Sequence, residues 1–166
     1  MAKTIIGVMG PGSRPTETDL QNAYMIGKFA AQNGWTILTG GSKAGVMHAA
    51  LKGAKDNQGE TIGVLPSYDK STASEYADHV IVTGMGSARN NINVLSSDVV
   101  VACGIEAGTL SEVALAVKAG KIVILLTQNQ KGIAFLKDLA PKQIFAAENI
   151  EAAAAALNKL LKNDPS

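Results

Sequence analysis

The chain has 166 residues, room for one substantial core, and no composition break asks for a second, so a single domain over 1–166 with its core at about 3–162 is expected. Fifteen Lys and Arg against fourteen Asp and Glu give a formal charge of +1, without the basic excess of a non-specific nucleic-acid binder, and no nucleic-acid partner is expected. One cysteine, Cys103, and two histidines, His48 and His79, supply neither an internal disulfide nor a zinc-ligand cluster, which points to a reducing compartment and no protein-held metal.

The opening MAKTIIGVMGPG carries one lysine and a short apolar run before glycine and proline. It matches neither a signal peptide nor a spanning helix, so a cytoplasmic protein without a membrane partner is expected. Apolar residues make up 46 % of the chain, yet there are only one Trp, three Tyr and three Phe beside seventeen Gly. A core of Val, Ile, Leu and Ala with close backbone approaches suits helices packed on a parallel sheet.

In chain order, residues 4–9 read as a buried strand running into Gly10-Pro11-Gly12-Ser13, and Thr16 or Thr18 caps a helix to about Gln32 with Leu20, Tyr24, Gly27 and Ala31 on one stripe. The pattern repeats with a strand at 35–38, the loop Gly40-Gly41-Ser42-Lys43-Ala44-Gly45, and a helix at 46–55 that buries Met47, Ala50, Leu51 and Ala54. A strand at 61–65 stops at Pro66. Residues 67–76 form a polar loop placed over a ligand mouth.

A strand at 79–82 precedes a helix at 87–96 with Ala88, Ile92 and Leu95 inward, and the Val-rich run at 98–102 is a strand buried on both faces. The turn Gly104-Ile105-Glu106-Ala107-Gly108-Thr109 leads into a helix at 109–119. A strand at 121–126, a helix at 132–139, an edge strand at 144–146 and a helix at 149–161 complete the pattern, and Pro165 and Ser166 read as a frayed end. Six or seven strands alternating with helices predict an α/β fold: a Rossmann-like, doubly wound sandwich with a mostly parallel central sheet.

Ligands of such sheets sit outside the carboxyl ends of the strands, where strand order reverses. Three glycine-bearing loops enter helices there, and each offers backbone N–H groups and a helix start to an anion. The candidate contacts in these loops are Gly12, Ser13, Gly40, Gly41, Ser42, Gly45, Gly108 and Thr109, for a small phosphate-bearing ligand. Neither a dinucleotide fingerprint nor a P-loop is present. Thr109-x-x-Glu112 has the spacing of a capping box, the reading that spacing alone favours. Arg89, beside Asn90, Asn91 and Asn93, is either an exposed helix residue or part of a polar site.

Gly40-Gly41 with Gly45-Val46-Met47, Arg89 after Met85-Gly86, and Gly108-Thr109 with Glu112 resemble the family of the cytokinin-activating LOG proteins, long described as possible lysine decarboxylases. That resemblance implies hydrolysis of a nucleoside monophosphate to base and ribose 5-phosphate, with Arg89 positioning the ligand and Glu112 stabilising an oxocarbenium-like ribose or activating water. The LOG motif Pro-Gly-Gly-x-Gly-Thr-x-x-Glu is altered here, with Gly104, Ile105 and Glu106 in place of Pro-Gly-Gly. Residues 93–116 are similar to another branch of the superfamily, the molybdenum cofactor carrier proteins. This second resemblance implies the molybdenum cofactor as bound cargo, Arg89 and Ser111 as further anion contacts beside the loop residues, no required acid or base, a homodimer or homotetramer, and molybdoenzyme or cofactor-insertion partners. Carrier is thus the first reading, phosphoribohydrolase with Arg89 and Glu112 as catalytic residues the second, and a nucleotide-sensing domain without catalysis the third.

Overall fold

The computed structural model describes residues 3–162; the expected frayed end at Pro165 and Ser166 lies outside them. Seven strands form one sheet: β1 (Ile5–Met9), β2 (Thr36–Thr39), β3 (Thr61–Leu65), β4 (His79–Val82), β5 (Val99–Cys103), β6 (Val123–Leu126) and β7 (Ile144–Ala146). Their order across the sheet is β4-β3-β2-β1-β5-β6-β7, and every pairing is parallel, a stricter outcome than the mostly parallel sheet expected. β1 is the hinge of this order, with Ile6 opposite Ile37 of β2 on one side and opposite Val99 of β5 on the other.

The helices are α1 (Glu17–Gln32), α2 (Gly45–Lys55), α3 (Asn90–Leu95), α4 (Ala107–Lys118), α5 (Gln130–Leu139) and α6 (Ile150–Lys162). Successive side chains of a strand point to opposite faces, so a Val-rich strand feeds two cores at once. Val99, Val101 and Cys103 of β5 pack with Ala23 and Ile26 of α1, Ala50 and Leu51 of α2, and Leu157 of α6. Val100 and Ala102 pack with Val94 of α3, Val113 and Ala116 of α4, and Leu136 of α5. Each fully buried Val, Ile or Leu contributes about 1.5–3 kcal/mol. Helices on both faces make this the doubly wound sandwich that the alternation predicts.

α1 starts at a capping box, in which Thr16 Oγ1 accepts from Asp19 N–H at 3.1 Å and Asp19 Oδ2 accepts from Thr16 N–H at 2.9 Å. Its buried stripe is Ala23, Ile26, Gly27 and Ala30, one position off the expected Leu20, Tyr24 and Ala31, because glycine and alanine let α2 approach at backbone distance. A Cβ on Gly27 would lie 2.1 Å from the Ala50 carbonyl oxygen, and one on Gly53 2.0 Å from that of Tyr24. Two smooth helix surfaces therefore meet without intervening side chains.

The expected single helix at 87–96 is two elements, a 3-10 turn at Gly86–Arg89 followed by α3. The tighter turn rephases the side chains. Asn93 and Val94 face inward, Ala88 is exposed, and Leu95 is 54 % exposed rather than buried. Residues 67–76 are tied down at their C-terminal part: Ser42 and Ala73 form an antiparallel bridge, Lys43 N–H donates to Thr72 O at 2.9 Å, and Ser74 N–H donates to Gly41 O at 2.8 Å.

Replacing Gly27 by Ala gains up to about 1 kcal/mol of intrinsic helix propensity but drives a methyl group into the α2 backbone, an overpacking cost of about 1–3 kcal/mol. The clash wins. Gly27→Ala is expected to lower the urea midpoint with the slope unchanged, and an unchanged or raised midpoint would show that the two helices separate freely.

Candidate functional site

Parallel strands place all their C-terminal loops at one mouth, and a cleft of about 300 Å³ opens there between β1, β2 and β5. Met9 ends β1 and Gly10 follows it, Gly40 follows β2, and Arg89 comes on the 3-10 turn after β4. Gly108, Thr109 and Glu112 come from the first turns of α4. Arg89 and Glu112 thus share one cleft. Among the described residues they form no direct ion pair within 4.0 Å.

The Arg89 guanidinium lies against bare backbone. A Cβ on Gly40 would stand 2.2 Å from Arg89 Nη1 and 2.6 Å from the Met47 sulfur, so any larger residue at 40 would expel the arginine. Burial pushes the Arg89 guanidinium below its ordinary value, which the Glu112 charge opposes. Its Nε is buried and has no hydrogen-bond partner among the described residues. A desolvated cation with an idle donor is poised for an anion.

Thr109 and Glu112 do not form the expected capping box. α4 begins at Ala107, with Glu106 as N-cap, so Thr109 is the third helical residue and its side chain faces inward instead of back to the helix start. The first intrahelical bond at this end is Leu110 N–H to Glu106 O at 2.8 Å, which leaves the amides of Ala107, Gly108 and Thr109 without an intrahelical acceptor. Thr109 is 1 % exposed and its Oγ1 also lacks a partner. Glu112, 7 % exposed, accepts instead from Asn93 Nδ2 at 3.0 Å. Burial raises the Glu112 carboxyl above its ordinary value of 4.5; the Asn93 bond and the Arg89 charge pull it back, and the Glu106 charge adds to the rise.

Gly40, Arg89, Gly108 and Thr109 of the sequence candidates line this cleft, whereas Gly12, Ser13, Gly41, Ser42, Gly45 and Ser111 do not. Gly12 N–H donates to Glu106 Oε1 at 3.1 Å. Gly41 N–H donates to Thr39 Oγ1 at 3.0 Å, and Ser42 bridges to Ala73. Gly45 takes a positive φ of 59° with its Cα packed on the 11–12 backbone, and lines a separate groove with Tyr24 and His48. Ser13 is exposed. Ser111 Oγ donates to Gly108 O at 2.7 Å and accepts from Asn90 Nδ2 at 2.9 Å, bracing the α4 turn against α3.

The model of the SLOG cluster4 family matches residues 3–154. The chain belongs to that family. This SLOG-family chain is similar to the molybdenum cofactor binding protein from the phototrophic bacterium Rippkaea orientalis, at 51 % identity and a TM-score of 0.95 over 97 % of this chain and 99 % of that one. It is similar also to the molybdenum cofactor carrier protein from Chlamydomonas reinhardtii, at 49 % identity and a TM-score of 0.92 over 98 % of this chain and all of that one. It is 33 % identical over 101 residues to a cytokinin riboside 5'-monophosphate phosphoribohydrolase from Mycobacterium tuberculosis, an alignment covering 59 % of this chain and 54 % of that enzyme. The expected superfamily and its carrier branch are both met in these likenesses.

Sequence reasoning on the SLOG-family chain missed four site side chains. Met47 read as core, yet it is only partly buried and lines the cleft beside Gly40. Asn90 and Glu106 line it too, and Asn93 supports Glu112 while its own Oδ1 stays unpartnered. The signal was the poor helix propensity of Asn90, Asn91 and Asn93, whose purpose shows only in three dimensions. Cys103 is fully buried and burial pushes its thiol up, so it serves as the packed end of β5. Among the described residues no three His, Cys, Asp or Glu side chains form a metal-ligand set, and no helix is long and apolar enough to cross a membrane.

A carboxyl raised by folding holds a proton that the unfolded chain has released, so Glu112 takes stability away as pH rises from 4.5 through its raised value. Glu112→Gln keeps an acceptor for Asn93 without the charge. Thermal melts across pH should find this variant at least as stable as the wild type at pH 8, with the difference vanishing toward pH 4. A variant less stable at pH 8 would mean that attraction to Arg89 outweighs burial.

Proposed function

We propose that this chain binds the molybdenum cofactor and carries it as cargo, holding its oxyanions without turning them over. The observation that carries the reading is the pair of buried, unpartnered groups on residues lining one cleft, Arg89 Nε and Thr109 Oγ1, with the open amides at the start of α4. Near-full-length likeness to a molybdenum cofactor binding protein and a molybdenum cofactor carrier protein supports it. In this reading Arg89 supplies the positive charge, Gly108 and Thr109 donate to phosphate, and Gly40 leaves room for the guanidinium. The other sequence candidates, Gly12, Ser13, Gly41, Ser42, Gly45 and Ser111, frame the loops. Glu112 is a buried support bonded to Asn93. This reading asks for no protein ligand to a metal in the cargo.

Phosphoribohydrolase activity is the second reading, favoured by Arg89 and Glu112 sharing a cleft and by the mycobacterial relative. It asks Glu112 to be ionised beside the ribose, and burial favours the protonated form. Incubation with AMP is expected to release no adenine, and release abolished by Glu112→Ala would overturn the carrier reading. Purified protein is expected to retain molybdenum cofactor through gel filtration and to reconstitute an apo-molybdoenzyme with it. Arg89→Ala should weaken that retention roughly 10- to 100-fold, the loss of a charge-assisted contact; undiminished retention would move the site elsewhere.

The proposed partners are a molybdoenzyme or cofactor-insertion protein and a second copy of this chain. Met85, Leu95 and Leu110 are apolar and exposed on elements flanking the cleft. Sedimentation equilibrium should return a homodimer or homotetramer, and a charge placed at Leu95 should shift it toward monomer; a monomer at all concentrations would refute self-association.

A further inference from the structure

Two carboxylates pack on the turns at this mouth, Asp19 on the turn after β5 and Glu106 on the first glycine loop. Asp19 bonds the Thr16 amide, and its carboxyl atoms lie 2.7 to 2.9 Å from where a Cβ on Gly104 would stand, so they pack on the turn after β5. Glu106, the N-cap of α4, reaches across to the Gly12 amide at 3.1 Å. The same Glu106 oxygen is 3.9 Å from the place of a Gly108 Cβ. It therefore sits between the β1 loop and the first turn of α4, where an anion would otherwise meet amides from both.

The cleft is consequently bipolar. Among its lining residues are donors without acceptors, Arg89 Nε and the Thr109 hydroxyl, and an acceptor charge, Glu106, which already uses the Gly12 donor. The influence of Glu106 reaches Glu112, whose ionised form it disfavours. A phosphate placed on the β1 side would meet that carboxylate with no free Gly12 amide to offset the repulsion.

We infer that Glu106 is a specificity-determining residue of this cleft: latched to Gly12, its carboxylate excludes anions from the β1 side and confines a bound phosphate to the Arg89 and Thr109 side. The inference rests on the anion-holding role proposed for the cleft. It names the ligand's polarity, a single anionic end toward Arg89 and a neutral edge bearing N–H donors toward Glu106. A phosphate-bearing heterocycle with exposed N–H groups fits this arrangement, and a ligand with anions at both ends does not.

Calorimetric titration with inorganic phosphate and pyrophosphate tests it. Glu106→Gln keeps a carbonyl oxygen to accept from Gly12 while removing the charge, and Glu106→Ala removes both. Each variant is expected to bind phosphate about 10-fold tighter than the wild type, with the larger gain for pyrophosphate. Arg89→Ala should abolish binding in either background. Equal or weaker binding by Glu106→Gln while the wild type binds in an Arg89-dependent way would overturn the role of Glu106 and leave the carrier reading standing. A gain in Glu106→Ala alone would also overturn it, since release of the latch, not of charge, would then be the cause. If neither wild type nor Glu106→Gln binds phosphate, the anion-holding reading falls and this one with it.

Discussion

The reversal of strand order at β1 governs where everything else in this molecule goes. β1 pairs with β2 on one side and with β5 on the other, and a parallel sheet can be continued in both directions only if the helices leave to opposite faces. α1 and α2 cover one face and α3 and α4 the other. Their starts diverge above the junction of β1 with its neighbours, and the cleft is the space left between them. The central strands beneath are buried except at Ile5 and carry no charged side chain, Thr36 and Thr39 of β2 being their polar residues, so charged chemistry is confined to the loops at this mouth.

Charge is distributed on two different principles. Ion pairs such as Lys3 with Glu60, Lys52 with Asp56 and Lys55 with Asp78 are at least partly open to solvent, and pairs of this kind typically contribute about 0–1 kcal/mol each. Inside the cleft the arrangement is opposite: Arg89 is desolvated beside Glu112 without a direct pair, and Glu112 is raised rather than stabilised as an anion. Stability alone does not explain a half-buried guanidinium whose buried Nε is idle. A bound oxyanion would supply both the countercharge and the missing acceptor.

The alternation of β-branched runs with amphipathic segments made all seven strands, the sandwich and the position of most helices legible from the residues alone. Thr109 was legible as a candidate because it follows Gly108 in a strand-to-helix loop, and Arg89 because of its asparagine-rich surroundings and the family motif. Other features were hidden for identifiable reasons. The start of α4 at Ala107 could not be read, since Glu106 caps by backbone conformation without a side-chain bond, and the Thr109 to Glu112 spacing imitates a cap that is not made. The 3-10 turn before α3 broke the periodicity that placed Ala88 and Leu95 inside. The Gly12 to Glu106 contact spans 94 positions, and no local pattern encodes it.

The same long span has a kinetic meaning. β1 is made at the start of the chain but pairs with β5 more than ninety positions later, as does the Ile5 amide with Asp98 at 2.8 Å. Closing so long a loop costs entropy before it returns any contact, and pairings of this kind form late and slowly. α1, β2 and α2 are neighbours in sequence and can associate early, whereas the cleft lacks the residues of α4 until β5 arrives beside β1. An incomplete chain, however well packed locally, has the arginine and the glycine turns but nowhere to bring them together. The cleft is thereby a property of the finished sheet, and its charged and polar lining comes together only when folding is complete.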